Sequence, residues 1–511
     1  MKGKKIVSTL LVLLFLASLP VSAHAAVWDI GNGDITVNAG SGGQTVTQGS
    51  QVDVPDSAPV ITGSSTENTL TINAEKDQTA SVTLSGANID VSNEGKAAVS
   101  TNGEGNVSIE LDGENTLKSG KGHAGLEKKN GGKLTIADED KNGKLTAEGG
   151  KYGAGIGGGD QGAGSGITIT GGEIKATGGQ YGAGIGGGKG DGSDITISGG
   201  EVNATGGTSG AGIGGGYNGN GSDITITDGE VNATGGKYGA GIGGGEYGIG
   251  KDIIITGGEV NATGGRFSAG IGGGSRGTGS DITISGGEVN ASGGVNGAGI
   301  GGGLRSKGKD ITVSGDTKLK VQGGDEDHYD GAGAGIGDGG SNAYGTKILG
   351  AEVEPDTSDL LTTGWIEYYA PGADMETDDP TSTTFGTASQ PEKPIDPGAE
   401  RGMDAPLYRV TDRDGRDIAY TAEQKGGVLT VTVDEDLAIL TGRLSGIRTL
   451  KAQGVEKIVF VTKGAASAFL LSDLLGKGES GEAYRLTHDG KAVTFTLGEK
   501  MTDVSAILTK P

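Results

Sequence analysis

Between Lys151 and Gly340, apolar and polar positions alternate in short runs interrupted by glycine pairs, and the pattern returns about every 29 residues. One unit reads AGIGGG, then SDITISGG, then EVNATGG. Ala154 and Ile156 share one side of the chain, as do Ile195 and Ile197, then Val202 and Ala204. Alternation over runs this short predicts strands, because successive side chains of a strand point to opposite faces. The isoleucine of the first segment recurs at Ile156, Ile185, Ile213, Ile242, Ile271, Ile300 and Ile336, with steps of 29, 28, 29, 29, 29 and 36. A period of this size signals stacked supersecondary units. Three short strands per unit predict one rung of a right-handed parallel β-helix, with rungs about 4.8 Å apart. A worn copy precedes the array in HAGLEKK, KLTIAD and KLTAEGG at 123–150, with older traces in NVSIEL and ASVTLSGANIDVS. The expected β-helix covers 26–350, with regular rungs at about 151–340. A single rung buries too little apolar surface to order itself, so the array must be cooperative and its ends capped.

The pattern changes on either side. Residues 1–25 read as a signal peptide: basic Lys2, Lys4 and Lys5, the apolar run IVSTLLVLLFLASL, and Ala23-His24-Ala25 as a cleavage pattern. Residues 351–405 read as a cap around GWIEYYAPG followed by a linker rich in Pro, Thr, Asp and Glu from 371. Residues 406–511 have ordinary composition and read as a small α+β domain. VLTVTV and KIVFVT are its expected strands; Leu437, Leu440, Leu444 and Ile447 have helical spacing, and Asp489-Gly490 joins a hairpin. DRDG at 412–415 fits a hairpin turn better than a calcium loop.

Composition narrows the chemistry. The chain has 109 glycines, no cysteine and a net charge of −24, which removal of the three leader lysines makes −27. Thiolate chemistry and disulfides are excluded, and nucleic acid is disfavoured as a partner. No later segment reads as a membrane span, so no membrane insertion is expected. The letters GAGIGGG satisfy a dinucleotide fingerprint, but a strand follows where that fold requires a helix, and the motif recurs at every rung. The glycines call for another reason. If Ala154 and Ile156 point inward, Gly153, Gly155 and Gly157 point outward and leave a bare strip open to an extended ligand.

Several columns stand on the expected outer surface. Beside the glycine strip lies Tyr152, Tyr181, Ser209, Tyr238, Phe267 and Asn296, preceded by Lys151, Gln180, Thr208, Lys237, Arg266 and Val295. In a chain only 4% aromatic this register is informative. Lys151, Tyr152, Tyr181, Lys237, Tyr238, Arg266 and Phe267 are the candidate ligand-binding residues: rings against sugar faces, cations on hydroxyls or carboxylates. An aromatic stack sealing a corner is the structural alternative. Asp194, Asp223, Asp252, Asp281 and Asp310 form a second column, and Glu173, Glu201, Glu230, Glu259 and Glu288 a third. Stacked carboxylates repel, so the aspartates either accept turn N–H bonds or hold calcium between rungs. The 36-residue step inserts seven residues around DEDHYD at 325–330, a solvated loop or a cation site.

The stretch LDGENTLKSG…HAGLE…KLTI…LTAEGGKYGAGIGGG and the rungs after it, roughly residues 60–345, resemble exported repeat proteins of Gram-positive anaerobes that carry a carbohydrate-binding β-helix domain similar to pectate lyases. The resemblance implies binding to a plant or surface polysaccharide, with calcium as a bridge. The periodicity favours a secreted or cell-surface protein that binds through many equivalent contacts without cleaving its ligand, with no catalytic residues. Two other functions remain open: a polysaccharide lyase acting on uronate glycans, and a spacer that holds the C-terminal domain away from the cell. A lyase needs one unrepeated constellation, and the basic residues Lys151, Lys237, Arg266 and Arg305 lie on separate rungs.

Overall fold

A computed structural model of the chain describes residues 25–343, 346–387, 408–413, 418–475, 483–490, 492–497, 500–501 and 508–509. The leader through His24 and the second half of DRDG, Asp414 and Gly415, lie outside the described residues.

The repeat is a parallel β-helix. Each regular rung has a two-residue strand, as at Ile156–Gly157, and two longer segments, as at Gly164–Ile169 and Glu173–Thr177, which run together in Gly192–Thr205 and Gly221–Thr234. Rungs stack in parallel and in register. Ile156 pairs with Ile185, and the ladder continues through Ile213, Ile242, Ile271 and Ile300 to Ile336. Ile167, Ile195, Ile224, Ile253, Ile282 and Ile311 form a second line. The alternation places every inward residue in one continuous core; Ile156, Ile195, Ile197, Val202 and Ala204 are at most 1% exposed.

Both ends of the ladder are closed. An exposed edge of parallel strands would offer unpaired N–H and C=O groups to another chain. At the N-terminal end Ile35–Gly40, Gly43–Gln48 and Gln51–Pro55 turn antiparallel. At the other end Trp365–Tyr369 adds a last parallel strand to Lys318–Gln322, and Ser382–Phe385 covers it antiparallel. The β-helix therefore runs past 350, and part of the expected linker is a capping strand.

The bare glycine strip is not there. Gly153, Gly155 and Gly157 are buried, because the chain turns sharply here and the backbones of the neighbouring rungs lie directly on it. A Cβ on Gly153 would sit 1.9 Å from the His123 carbonyl oxygen, and one on Gly157 would sit 2.0 Å from that of Gly186. Gly157 also has φ of +133°, a value repeated within a few degrees at Gly214, Gly243, Gly272 and Gly301. Glycine is required by contact between rungs and by backbone angle, not by a ligand.

The aspartate column has a backbone cause as well. Asp194, Asp223, Asp252, Asp281 and Asp310 all have φ between 51° and 56°, and Gly166 takes the same place in the rung before, at 69°. Aspartate is among the few non-glycine residues that tolerate this left-handed turn. Among the described residues, three carboxylates come within reach of one ion only at Glu110, Asp138 and Asp140, none of them in the column. Asp252 alone is covered, 8% exposed; burial raises its carboxyl pKa while Arg448, 2.8 Å away, opposes the rise.

Among the described residues the C-terminal domain has two five-stranded sheets and two short helices around its own core. Val428–Val433, Lys457–Val461 and the hairpin of Ala483–Asp489 with Ala492–Leu497 stand where expected. The helix does not begin at Leu437: Leu437–Arg443 is a strand paired with Ala483–Asp489, and the helix is Leu444–Ala452. Here sheet pairing overrides the local spacing. His488 is buried between Thr462 and Ser467, its ring nitrogens 3.1 and 2.9 Å from their hydroxyl oxygens.

Two outcomes are expected. Gly243→Ala, which places a Cβ 2.1 Å from the Gly272 carbonyl oxygen, destabilises the β-helix by about 2–4 kcal/mol, read from circular-dichroism melting; Gly42→Ala, with open space around it, leaves the melt unchanged. Burial pushes the His488 pKa down to about 4. The neutral ring therefore contributes stability fully above about pH 6.5 and loses it as pH falls towards 4, a transition to be followed by the His488 ring proton signals and by acid unfolding of this domain.

Candidate functional site: a ridge of aromatic and cationic side chains

The tight turns before and after each two-residue strand come together at one corner of the β-helix. The Tyr152 column lies beside a second one, Asp160, Lys189, Tyr217, Glu246, Ser275 and Leu304, displaced by one rung. The displacement is set by backbone bonds: Asp160 N–H to the Gly122 carbonyl, Tyr217 to Tyr181, Glu246 to Ser209, Ser275 to Tyr238 and Leu304 to Phe267, all at 2.7–3.0 Å. Tyr247 follows on the outer flank, 48% exposed.

The rings form two stacks. Tyr152 and Tyr181 lie 5.3 Å apart and 10° from parallel, and Tyr238 and Phe267 lie 6.2 Å apart at 9°. Between the stacks the first column holds the buried Ser209, whose hydroxyl bonds Glu246 Oε2 at 2.7 Å. Tyr217 meets Tyr181 edge-on at 5.6 Å and Tyr247 at 6.2 Å, carrying the aromatic line past the gap. Aromatic pairs at these separations stabilise one another. The structural role foreseen for the column is therefore real. Each stacked ring also gives one face to its neighbour, so sugars do not meet a row of open faces.

Cations cover the rings. Lys151 Nζ lies 5.3 Å from the Tyr152 centroid and 5.8 Å from that of Tyr181, and Lys121 approaches Tyr152 at 5.7 Å. Lys237 lies 4.8 Å over Tyr238, Arg266 4.7 Å over Phe267, Lys189 5.9 Å over Tyr217 and Arg276 5.9 Å over Tyr247. The structure thus gathers all seven sequence-derived ligand residues at this corner and adds Lys121, Lys189, Tyr217, Tyr247 and Arg276. Those additions recur with the repeat but mix residue types, so no aromatic period announced them. The acidic columns lie on the strand segments. The glutamates pair rung to rung from Glu173 to Glu288, with Lys144 and Lys318 closing the two ends. Beside them Asn203, Asn232, Asn261 and Asn290 form an amide ladder at 2.8–3.1 Å, which commits these side chains to one another.

One unrepeated constellation also escaped the sequence reading. Glu127, 3% exposed, takes the place that Gly157 takes in the next rung. Its carboxylate accepts from His123 Nδ1 at 2.6 Å and pairs with Lys129 at 2.9 Å. The room for it comes from Gly159, where a Cβ would lie 2.6 Å from Glu127 Oε1. With Nδ1 turned to this carboxylate, His123 Nε2 is the ring nitrogen without a hydrogen-bond partner among the described residues. This pair sits one rung before Tyr152, at the N-terminal end of the ridge. Burial lowers the pKa of the neighbouring Lys128 to about 8, and its ammonium is held by the carbonyls of Asn130 and Gly132.

The insertion at 325–330 is pinned rather than freely solvated. Asp327 accepts from the N–H groups of Tyr329 and Asp330 at 2.8 and 2.7 Å and lies 3.7 Å from Arg266. Burial alone would raise its pKa; those two bonds and Arg266 bring it below the ordinary value. Asp330 takes a two-point bond from Arg305 at 2.8 and 3.0 Å.

No helix among the described residues is long and apolar enough to cross a membrane. A family model described as a beta helix repeat matches residues 141–160, 167–189, 195–217, 224–246, 253–275 and 282–304, the rungs that carry the ridge. No curated protein and no solved structure matches the chain. By its stacked rungs and by this match, the chain is a parallel β-helix repeat protein.

Proposed function

We propose that the protein works outside the cell as a non-catalytic polysaccharide-binding protein, and that the ridge is its contact surface. The observation that carries this reading is charge segregation. In a chain of net charge −24, Lys121, Lys151, Lys189, Lys237, Arg266 and Arg276 converge over six rings at one corner. An extended glycan running parallel to the helix axis would meet this corner rung after rung. Ring edges and hydroxyls would take the sugar's C–H and OH groups, and the ammonium and guanidinium groups its carboxylates. Each exposed contact is weak, about 0.2–1 kcal/mol, but many equivalent ones on one rigid scaffold sum to useful avidity. Neither calcium nor any other cofactor has a part in this reading.

The His123–Glu127 pair favours a second reading, a polysaccharide lyase. His123 Nε2 would take the C5 proton of a uronate held by Lys121 and Lys151. The C4–O4 bond would break, a C4=C5 bond would form, and the leaving oxygen would be protonated by water.

The two readings separate cleanly. Lys151→Ala, Lys189→Ala and Lys237→Ala combined are expected to weaken binding to immobilised polygalacturonate about tenfold or more, with salt weakening the wild type in parallel and the circular-dichroism spectrum unchanged. Equal retention of the variant would remove the ridge reading. If ultraviolet absorbance of unsaturated uronate appears with the wild type and His123→Gln lowers its rate about a hundredfold, the protein is a lyase instead.

A further inference from the structure

The step from Ile300 to Ile336 is the one long interval of the array, 36 residues against 29 in the rung before. The added chain folds back over the C-terminal end of the ridge and delivers carboxylates to its cations. Asp327 faces Arg266, whose guanidinium covers the Phe267 ring, and Asp330 chelates Arg305 from the rung that carries Leu304. The loop is fixed from below too: Asn296, next in the Tyr152 column, donates Nδ2 to the Asp330 carbonyl at 3.1 Å and to that of Gly331 at 2.8 Å. Lys347 holds Glu326 at 2.8 Å on the far side. Towards the N-terminal end the situation reverses. Lys121, Lys151, Lys189 and Lys237 have no carboxylate within ion-pair distance among the described residues.

Arg266 over Phe267 is thus met by a carboxylate beside the insertion, while the lysines over Tyr152, Tyr217 and Tyr238 and Arg276 over Tyr247 are left open among the described residues. We propose that the insertion is a built-in stand-in for the ligand: Asp327 and Asp330 occupy the ridge as the carboxylates of a polyuronate occupy it further along. The inference rests on the ridge being the glycan-binding surface and adds two things to it. The ligand is a carboxylate-bearing polysaccharide, and its open track runs from Lys121 to Lys237 and stops at the loop. A chain of uronate rings suits such a track, since each ring advances by a distance close to one rung and brings one carboxylate with it. The loop also competes for the last cations, so part of the ridge is held in reserve.

Asp327→Asn tests this in the full-length protein. The amide oxygen can still accept from Tyr329 and Asp330, so the loop keeps its shape while Arg266 is released. Binding is measured by calorimetry with polygalacturonate, dextran sulfate and a neutral glucan, alongside Lys151→Ala. The expected result is a two- to fivefold tighter grip on polygalacturonate, about what one exposed ion pair supplies, vanishing at high salt and absent with the neutral glucan. If Asp327→Asn binds no more tightly while Lys151→Ala still weakens binding, the inference is wrong and the ridge reading stands. Preference of both proteins for dextran sulfate over polygalacturonate would overturn the carboxylate assignment. Failure of the wild type to hold any of the three would remove the ridge reading and the inference together.

Discussion

Everything in this molecule depends on how closely the backbone of one rung lies against the backbone of the next. At the glycine corner there is no side-chain layer between rungs: carbonyl oxygens occupy the space where Cβ atoms would project, as the Gly153–His123 and Gly157–Gly186 approaches show. That contact closes each rung into a tight coil with a two-residue strand. It also brings the residues flanking the glycines out onto one narrow corner. The ridge is a by-product of a packing requirement, since the chain must turn here with little bulk inside and anything large must point outward.

Stacking converts each choice of residue into a column, with the gains and costs of a column. Inward isoleucines give a continuous apolar core, and outward asparagines give an amide ladder. Outward glutamates give a line of like charges, tolerable because they are exposed and because Lys144 and Lys318 close its ends. At the corner the same multiplication places cations over rings. An ammonium over a ring keeps its water and still gains from the ring's negative face, so the ridge can hold many cations without burying one. Positive charge is thereby concentrated on a chain that repels anions almost everywhere else. The loop at 324–331 shows what the concentration attracts, because the chain's own carboxylates settle there.

The period of 29, the alternation within each segment and the stop at the glycine pairs were enough to determine a parallel β-helix, its inward residues and the register of its columns. These are local properties repeated many times, and repetition amplifies a weak signal. The hairpin at Asp489-Gly490 was legible for a similar reason, being set by a turn. Leu437–Arg443 was not, because its pairing with Ala483–Asp489 spans dozens of residues and overrides a helical spacing. Nor could a column by itself tell contact from exposure or show its backbone: glycines that look bare are buried, and the aspartates of one column share a φ near 54°.

Only the tertiary structure decided which columns are neighbours. The one-rung displacement that sets Tyr217 against Tyr181 depends on a backbone bond between residues 36 positions apart, and nothing in the local sequence encodes it. The same holds for His123 and Glu127, whose meeting depends on the space left by Gly159 in the following rung, and for Asp327, which reaches back across the insertion to Arg266. Sequence determined what each rung is, because a rung is local. Structure decided what the surface is, because a surface is made of residues from different rungs brought together by the turn of the coil.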